Sequence, residues 1–269
     1  MNSSEHLFFD PVILKLGPLE FRWYGLMYLV AFGVAYLIIK KELIRKNGPI
    51  PVEAAGDLLF YLILGLLLGA RIGYVLFYNL PVYLEQPKEI FAVWHGGMSF
   101  HGGLIGMIMF GLIFSIRCKA PFWELADIGA LAAPMGLMLG RIGNFINGEL
   151  FGRPTNLPWG MIFPGAGDVP RHPSQIYEAI LEGPILFLIL WILRTRVKRP
   201  GSILAIFLMI YGLFRFIAEF FREPDPQLGF IFSGLTMGQI LCLVMIGSGV
   251  ALFTHLNVRS RTNAPSIST

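Results

Sequence analysis

Charged residues are scarce in this sequence, and their scarcity excludes an ordinary water-soluble fold. Only 14% of the 269 residues are Asp, Glu, Lys or Arg, whereas 55% are hydrophobic and the mean hydropathy is +0.65. A soluble globular domain carries roughly 25% charged residues. The deficit is too large for a soluble core of this size, so we expect lipid rather than water to solvate much of the surface.

Cysteine is nearly absent, and the spacing of Cys118 and Cys242 indicates neither a disulfide framework nor a metal site. No acidic cluster of the kind that binds a metal ion is present either. Glu5 and Asp10 precede the first apolar run and no basic segment does, so no cleavable signal peptide is expected. The basic residues, which give a net charge of +4, lie in short clusters between apolar runs, as in membrane proteins rather than nucleic-acid-binding ones.

Seven apolar stretches are long enough to cross a bilayer, since a membrane-spanning helix needs about 20 residues. They lie near Trp23–Lys40, Asp57–Asn79, His101–Ile116, Leu125–Gly140, Ile176–Leu193, Ile203–Phe221 and Met237–His255. The chain is therefore predicted to be an all-α integral membrane protein. Residues 1–256 are predicted to form one polytopic membrane domain, and residues 257–269 a disordered cytoplasmic tail.

Basic residues beside these helices predict the orientation, because loops rich in Lys and Arg stay in the cytoplasm. Twelve of the 21 lie in loops on one side and six in loops on the other, and the rest lie within or at the ends of helices. The N-terminus is therefore predicted outside and the C-terminus in the cytoplasm, as seven crossings also require. The Gly/Pro-rich loop 141–175 then faces outward, where its aromatic residues predict an ordered cap. Gly65, Gly69 and Gly73 predict a close helix contact.

The sixth predicted helix carries the densest set of ionisable residues, which are costly inside a membrane and often functional. Tyr211, Arg215, Glu219 and Arg222 project within one narrow arc. A structural ion pair between Arg215 and Glu219 is one explanation. Because two arginines face one carboxylate, the alternative is that the excess positive charge binds an external anion.

Two further polar clusters flank predicted helices at the same outward face. The run Gly140–Glu149 contains Arg141, whose planar guanidinium suits phosphate, although an arginine at a helix end is also common without any function. Two His-Gly-Gly triplets precede the third helix, and His101 is predicted at its N-terminus, where backbone N–H groups attract anions. Histidine accepts protons near neutral pH, but structural histidines are more frequent than catalytic ones.

Tyr24 belongs to a fourth polar group at the outward face, for which an interfacial aromatic belt is the simpler explanation. Together, two arginines and a histidine at headgroup depth predict a site for a phosphate-bearing lipid. These residues alone leave open whether the lipid is bound, moved or cut. A lipid flippase or a transporter of an anionic lipid is therefore an alternative to an enzyme.

Several motifs resemble those of the bacterial prolipoprotein diacylglyceryl transferase family. They are Trp23-Tyr-Gly-Leu-Met27, Gly97-Met-Ser-Phe-His-Gly-Gly103, Gly140-Arg-Ile-Gly-Asn-Phe-Ile-Asn-Gly-Glu149, Arg171-His-Pro-Ser-Gln175 and Tyr211–Arg222 followed by Glu-Pro-Asp225. The resemblance spans nearly the whole chain. It implies transfer of the sn-1,2-diacylglyceryl group of phosphatidylglycerol to the lipobox cysteine of a preprolipoprotein, with release of glycerol phosphate and without a metal or dissociable cofactor.

The resemblance also implies roles for individual residues and a location for the reaction. His101 and Arg215 match essential positions of the family, and Arg141, Asn144 and Arg215 match positions implied in phosphatidylglycerol binding. Supporting positions are Tyr24, Glu149, Tyr211, Glu219 and Arg222. The implied partners are phosphatidylglycerol, the signal peptide of a preprolipoprotein and the lipid bilayer, with no nucleic acid. The implied place is the bacterial cytoplasmic (inner) membrane, with the active site on its periplasmic side.

Overall fold

A computed structural model describes residues 10–17, 19–46, 48–78, 80–92, 96–223, 230–232 and 234–262 of the chain. The described chain is mostly helical and divides into two compact units. The first unit comprises the described residues up to Ala35 and from Gly129 onward, and the second comprises those between Tyr36 and Ile128. The single membrane domain over residues 1–256 stays a prediction.

The first unit contains most of the helices and two short hairpins. Its elements are β1 (Val12–Leu16), β2 (Leu19–Arg22), the start of α1 (Trp23–Lys46), most of α5 (Phe122–Ile146), α6 (Ser174–Ile180), a π-helical turn (Leu181–Ile185), α7 (Leu186–Leu193), α8 (Ser202–Ala218), β3 (Phe230–Phe232), β4 (Leu235–Thr236) and α9 (Met237–Thr262). β1 and β2 pair antiparallel, and so do β3 and β4. In the first hairpin, hydrogen bonds from exposed Lys15 and Arg22 lower the pKa of Glu20 to about 2.

The second unit is organised around one tightly packed helix pair. It contains α2 (Ala55–Phe77), α3 (Leu80–Glu85), α4 (Phe100–Cys118) and the short 3₁₀ turns Val52–Ala54 and Pro87–Phe91, along with the end of α1 and the start of α5. A Cβ added to Gly69 would lie only 2.7 Å from the Cα of Gly106, and one added to Gly73 would lie 2.7 Å from the Cα of Gly102. Glycine therefore lets the α2 and α4 backbones touch, which confirms the close contact that the glycine spacing predicted.

Among the described residues, six helices are long and apolar enough to cross a membrane, as in a multi-pass integral membrane protein. They span Trp23–Arg45, Val52–Phe77, Phe100–Cys118, Phe122–Ile146, Ser174–Leu193 and Met237–Val258. The remaining predicted crossing corresponds to α8, which is apolar but has only 17 residues. A seventh crossing, like the orientation of the chain, therefore stays a prediction.

Two predicted boundaries differ from the described structure. α5 continues to Ile146, so the first residues of the predicted cap loop, 141–146, are helical rather than part of a loop. α9 continues to Thr262 and so enters the segment predicted as a disordered tail, while residues 263–269 lie outside the described residues. The connection from α5 to α6 has aromatic contacts of its own. Phe163 is almost fully buried, and the centre of its ring lies 5.5 Å from the centre of the Phe151 ring. Its identity as an outward cap remains a prediction.

Candidate active site

Arg141 and Arg215 meet around one buried glutamate in the first unit. Arg141 lies near the end of α5 and Arg215 in the last turn of α8, and Glu178 on α6 lies between them. The Oε2 atom of Glu178 lies 2.8 Å from the Nε atom of Arg141, and its Oε1 atom lies 3.6 Å from the Nη1 atom of Arg215. The Glu178 side chain is 2% exposed, and the two arginines are 17% and 13% exposed. One carboxylate thus bridges two guanidinium groups.

A second glutamate, Glu182, lies close to the same two arginines. The Oε2 atom of Glu182 is 3.5 Å from the Nε atom of Arg141, and its Oε1 atom is 4.0 Å from the Nε atom of Arg215. Glu182 is fully buried, and neither of its carboxylate oxygens has a hydrogen-bond partner among the described residues. It therefore lies at ion-pair distance from both arginines.

Glu219 completes the network from α8 itself. Its Oε2 atom lies 2.6 Å from the Nη1 atom of Arg215, although the angle is not that of a hydrogen bond. Its Oε1 atom accepts a hydrogen bond of 3.0 Å from the hydroxyl of Thr236, at the start of α9. The ion pair between Arg215 and Glu219 that the sequence spacing offered as one explanation is therefore present.

The expectation that two arginines of this arc face one carboxylate is incomplete. It rested on Arg215 and Arg222 facing Glu219 alone, but α6 and the π-helical turn bring in Glu178 and Glu182 as well. With Arg141 included, three arginines then face three carboxylates. The Nη1 atom of Arg215 still has no aligned hydrogen bond within the described structure, so it retains a donor for another acceptor.

The π-helical turn positions Glu178 and Glu182, and its sequence explains its shape. Pro184 has no N–H group to donate to the helix, and Gly183 adopts the non-helical angles φ −96° and ψ −106°. A Cβ on Gly183 would lie 2.6 Å from the Cβ of Met138, one turn before Arg141 on α5. Glycine therefore lets this turn press against α5, which brings the two glutamates close to Arg141.

A second polar group forms where α5 ends. The side-chain amides of Asn144 and Asn147 both donate to Oε1 of Glu149, at 2.9 Å and 3.2 Å. Gly148 has a φ of +68°, which only glycine adopts readily, so the chain turns back at this point. Tyr24 on α1 interacts with Asn144 and packs over Gly143, where an added Cβ would lie 2.7 Å from the Tyr24 ring.

The connection from α5 to α6 is tied to both polar groups. The side chain of Gln175 donates a 2.7 Å hydrogen bond to the carbonyl of Glu149. The Nε atom of Arg153 donates a 2.8 Å hydrogen bond to the carbonyl of Arg222, whose side-chain pKa is lowered by burial and by the charge of Arg215. His172 packs edge-on against Tyr177, and burial lowers its pKa.

His101 lies in the second unit, as the exposed second residue of α4. The hydroxyl of Ser99 caps this helix by accepting a 3.2 Å hydrogen bond from the Gly102 backbone. Arg71 holds the segment before the helix: its guanidinium donates to the carbonyls of Glu89, Ile90, Ala92, Gly96 and Gly97 at 2.5–3.3 Å. His95, from the other His-Gly-Gly triplet, lies outside the described residues.

The first unit thus contains all of the predicted site residues except His101. It joins Arg141, Arg215 and Glu219, and separately Tyr24, Asn144 and Glu149. Tyr211 is buried and lies within electrostatic reach of both Arg141 and Arg215. Sequence reasoning missed Glu178, Glu182 and Arg71, although two glutamates four residues apart inside an apolar stretch were a visible signal.

Comparison with known proteins gives concordant matches over most of the chain. Residues 11–255 match the family model of prolipoprotein diacylglyceryl transferase. A phosphatidylglycerol--prolipoprotein diacylglyceryl transferase of Geobacter sulfurreducens is 54% identical over 243 residues, covering 90% of this chain and 94% of that protein. Proteins of the same name are 51% identical in Desulfotalea psychrophila, covering 95% of this chain and 96% of that protein, and 50% identical in Bordetella parapertussis, covering 91% and 95%.

Proposed function

Because the chain belongs to the prolipoprotein diacylglyceryl transferase family, we propose that it transfers a diacylglyceryl group from phosphatidylglycerol to a prolipoprotein. The acceptor is the thiol of a lipobox cysteine in the signal peptide of the preprolipoprotein, and the reaction is the first step of bacterial lipoprotein maturation. The observation that carries the proposal is the buried pair Arg141 and Arg215, bridged by Glu178 within a membrane protein. The alternative of a lipid transporter is not favoured, since the relatives described above carry a transferase name.

The reaction is a substitution at the glyceryl carbon that carries the phosphate. The cysteine sulfur forms a thioether bond to this carbon, the bond from carbon to phosphate oxygen breaks, and glycerol phosphate leaves with the electron pair. An unperturbed thiol has a pKa near 8.5, and only the thiolate attacks well, so a proton must first be removed. His101 is the proposed group at this step, either as the base or as a group that positions the thiol.

Arg141 and Arg215 are proposed to bind the lipid phosphate and to stabilise the charge that develops on the leaving group. A guanidinium offers several N–H donors in a plane, which suits phosphate oxygens, and preorganised donors of this kind lower the barrier most where charge develops. Asn144 is proposed as a further contact for phosphatidylglycerol. Supporting roles are proposed for Tyr24, Glu149, Tyr211, Glu219 and Arg222, because most of them contact or closely neighbour these residues.

The membrane arrangement proposed for this activity has seven crossings, with the N-terminus outside and the C-terminus in the cytoplasm. α8 is the additional crossing, because its 17 residues reach about 26 Å and about 17 residues can be enough to span the hydrocarbon core. The proposed location is the bacterial inner membrane. The proposed active site faces the periplasm beneath the Gly/Pro-rich cap.

The direct test of the function uses purified protein, phosphatidylglycerol labelled in its acyl chains and a synthetic lipobox peptide. We expect the label to move to the peptide, with one glycerol phosphate released per modified peptide. Alkaline hydrolysis should then release the labelled acyl chains from their ester bonds and leave the glyceryl group attached to the peptide through its thioether bond. A matched peptide with serine in place of the lipobox cysteine should gain no label. Folded protein that binds phosphatidylglycerol but labels neither peptide would overturn the proposal.

A further inference from the structure

Glu182 is a buried acidic residue to which the proposed reaction assigns no task. Its side chain is fully buried within a helix that is long and apolar enough to cross a membrane. Both carboxylate oxygens lack a hydrogen-bond partner among the described residues. A buried charge without hydrogen bonds is costly, so its presence beside two arginines needs a physical reason.

Glu178 and Glu182 differ in how they interact with the two arginines. Glu178 approaches the Nε atom of Arg141 to 2.8 Å, within the usual range of an N–H···O hydrogen bond, which depends strongly on direction. Glu182 stays 3.5 Å and 4.0 Å from the Nε atoms of Arg141 and Arg215. At those distances a directional bond is lost, whereas the Coulomb interaction falls only with the inverse of distance and remains strong in a buried site. Glu178 can orient the arginines, whereas an ionised Glu182 acts on them mainly through its charge.

The position of Glu182 is built into the chain rather than left to a flexible side chain. The residue lies in the π-helical turn, beside Gly183, whose missing side chain allows contact with Met138 on α5. An additional residue in a helical turn frequently marks a functional site. The carboxylate is therefore held at a fixed distance from both guanidinium groups.

The balance between the carboxylates and the arginines determines how strongly this network attracts an anion. With Glu182 ionised, the carboxylates of Glu178, Glu182 and Glu219 offset Arg141, Arg215 and Arg222. Without its charge, the same groups keep one net positive charge and attract a phosphate more strongly. Tighter binding of a product does not speed turnover, because an enzyme gains only from interactions that are stronger in the transition state.

We propose that Glu182 is a positioning residue whose negative charge, acting through Arg141 and Arg215, weakens their hold on glycerol phosphate and so permits its release. The inference rests on the proposed function. A purely structural residue would change stability and activity on substitution, but it would not make the protein bind glycerol phosphate more tightly.

The test compares glycerol phosphate binding by calorimetry with steady-state kinetics for the wild type and Glu182→Gln. We expect Glu182→Gln to bind glycerol phosphate roughly tenfold more tightly, because one opposing charge is removed at close range. Its KM for phosphatidylglycerol should fall, and its kcat should fall as release slows. Glu42→Gln is the matched control, since Glu42 is equally buried but paired with Arg45 in the second unit, and its affinity should equal that of the wild type.

Two more variants keep the test decisive if Glu182→Gln folds poorly. Glu182→Met also removes the charge and should tighten binding, whereas Glu182→Asp keeps the charge and should not. Unchanged or weaker binding in whichever neutral variant folds overturns the proposal, as does the absence of glycerol phosphate binding in the wild type and in the neutral variants alike. A wild type that binds glycerol phosphate but forms no thioether contradicts the proposed function instead, while the comparison of affinities still judges Glu182.

Discussion

Arg71 shows at the scale of one residue how much backbone a single guanidinium can organise. Its donors reach five carbonyl groups in the chain between α3 and α4, and its side chain is buried. The same connection ends at Ser99, whose backbone N–H donates a 2.9 Å hydrogen bond to the carbonyl of Ala70. Arg71 therefore fixes the chain that leads into the helix carrying His101, although it is itself outside the proposed chemistry.

Replacing Arg71 with lysine should destabilise this connection. Lysine has three donors on one nitrogen and cannot reach five carbonyls in a plane, and each buried carbonyl left unpaired costs about 1–3 kcal/mol. We expect the melting temperature of Arg71→Lys in detergent to fall by several degrees and its transferase activity to fall with it. Arg117→Lys, at an exposed position on α4, is the control. Equal melting temperatures for the two variants would contradict the role of Arg71.

The residues that sequence could predict are those whose partners are close along the chain. Arg215 and Glu219 are four apart on one helix, and Asn144 and Glu149 fall within one short motif, so their proximity follows from local geometry. Glu178 and Glu182 reach Arg141 only because Gly183 packs against Met138 on another helix. Spacing along the chain does not encode that contact, which is why the count of carboxylates made from the sequence was incomplete.

At the scale of elements, apolar runs predicted the positions of the helices well. The ends of helices that continue into polar residues were predicted poorly. A hydrophobic run has a clear length, so six predicted crossings correspond to long apolar helices. α5 was predicted to end at Gly140 because polar residues follow, yet it continues to Ile146. Arg141 lies within this helical extension, where its side chain pairs with buried Glu178 and Glu182. The π-helical turn was not predictable, since its cause lies in packing against α5.

α8 decides whether the chain crosses the membrane six or seven times. Seven crossings place the two chain ends on opposite faces, whereas six place them on the same face. We expect an N-terminal tag to be accessible to protease in spheroplasts and a C-terminal tag only in inverted vesicles. The exposed native Cys118 serves as an internal marker, because an impermeant maleimide should reach it only in inverted vesicles, and Cys242 is buried. Both tags on one face would exclude α8 as a crossing.

At the scale of the whole molecule, a helical membrane fold is connected to one reaction on a lipid and a peptide. A family match over residues 11–255 and relatives at 50–54% identity connect the chain to that reaction. The buried arginines and carboxylates form the network in which the phosphate of a lipid is proposed to be held and released. The family match and the geometry of the arginine and glutamate network are independent observations, because the match does not depend on any distance in the network.

The measurement that tests this account most directly is the intact mass of a lipobox peptide after incubation with phosphatidylglycerol and each of four proteins. These are the wild type, Arg141→Ala, Arg215→Ala and, as a control arginine outside the network, the exposed Arg196→Ala. We predict that the wild type and Arg196→Ala add one diacylglyceryl mass to the cysteine, and that the other two do so about 10²–10³ times more slowly. Equal rates for all four folded proteins would contradict a role for the arginine pair, and an unchanged peptide with the wild type would contradict the transferase itself.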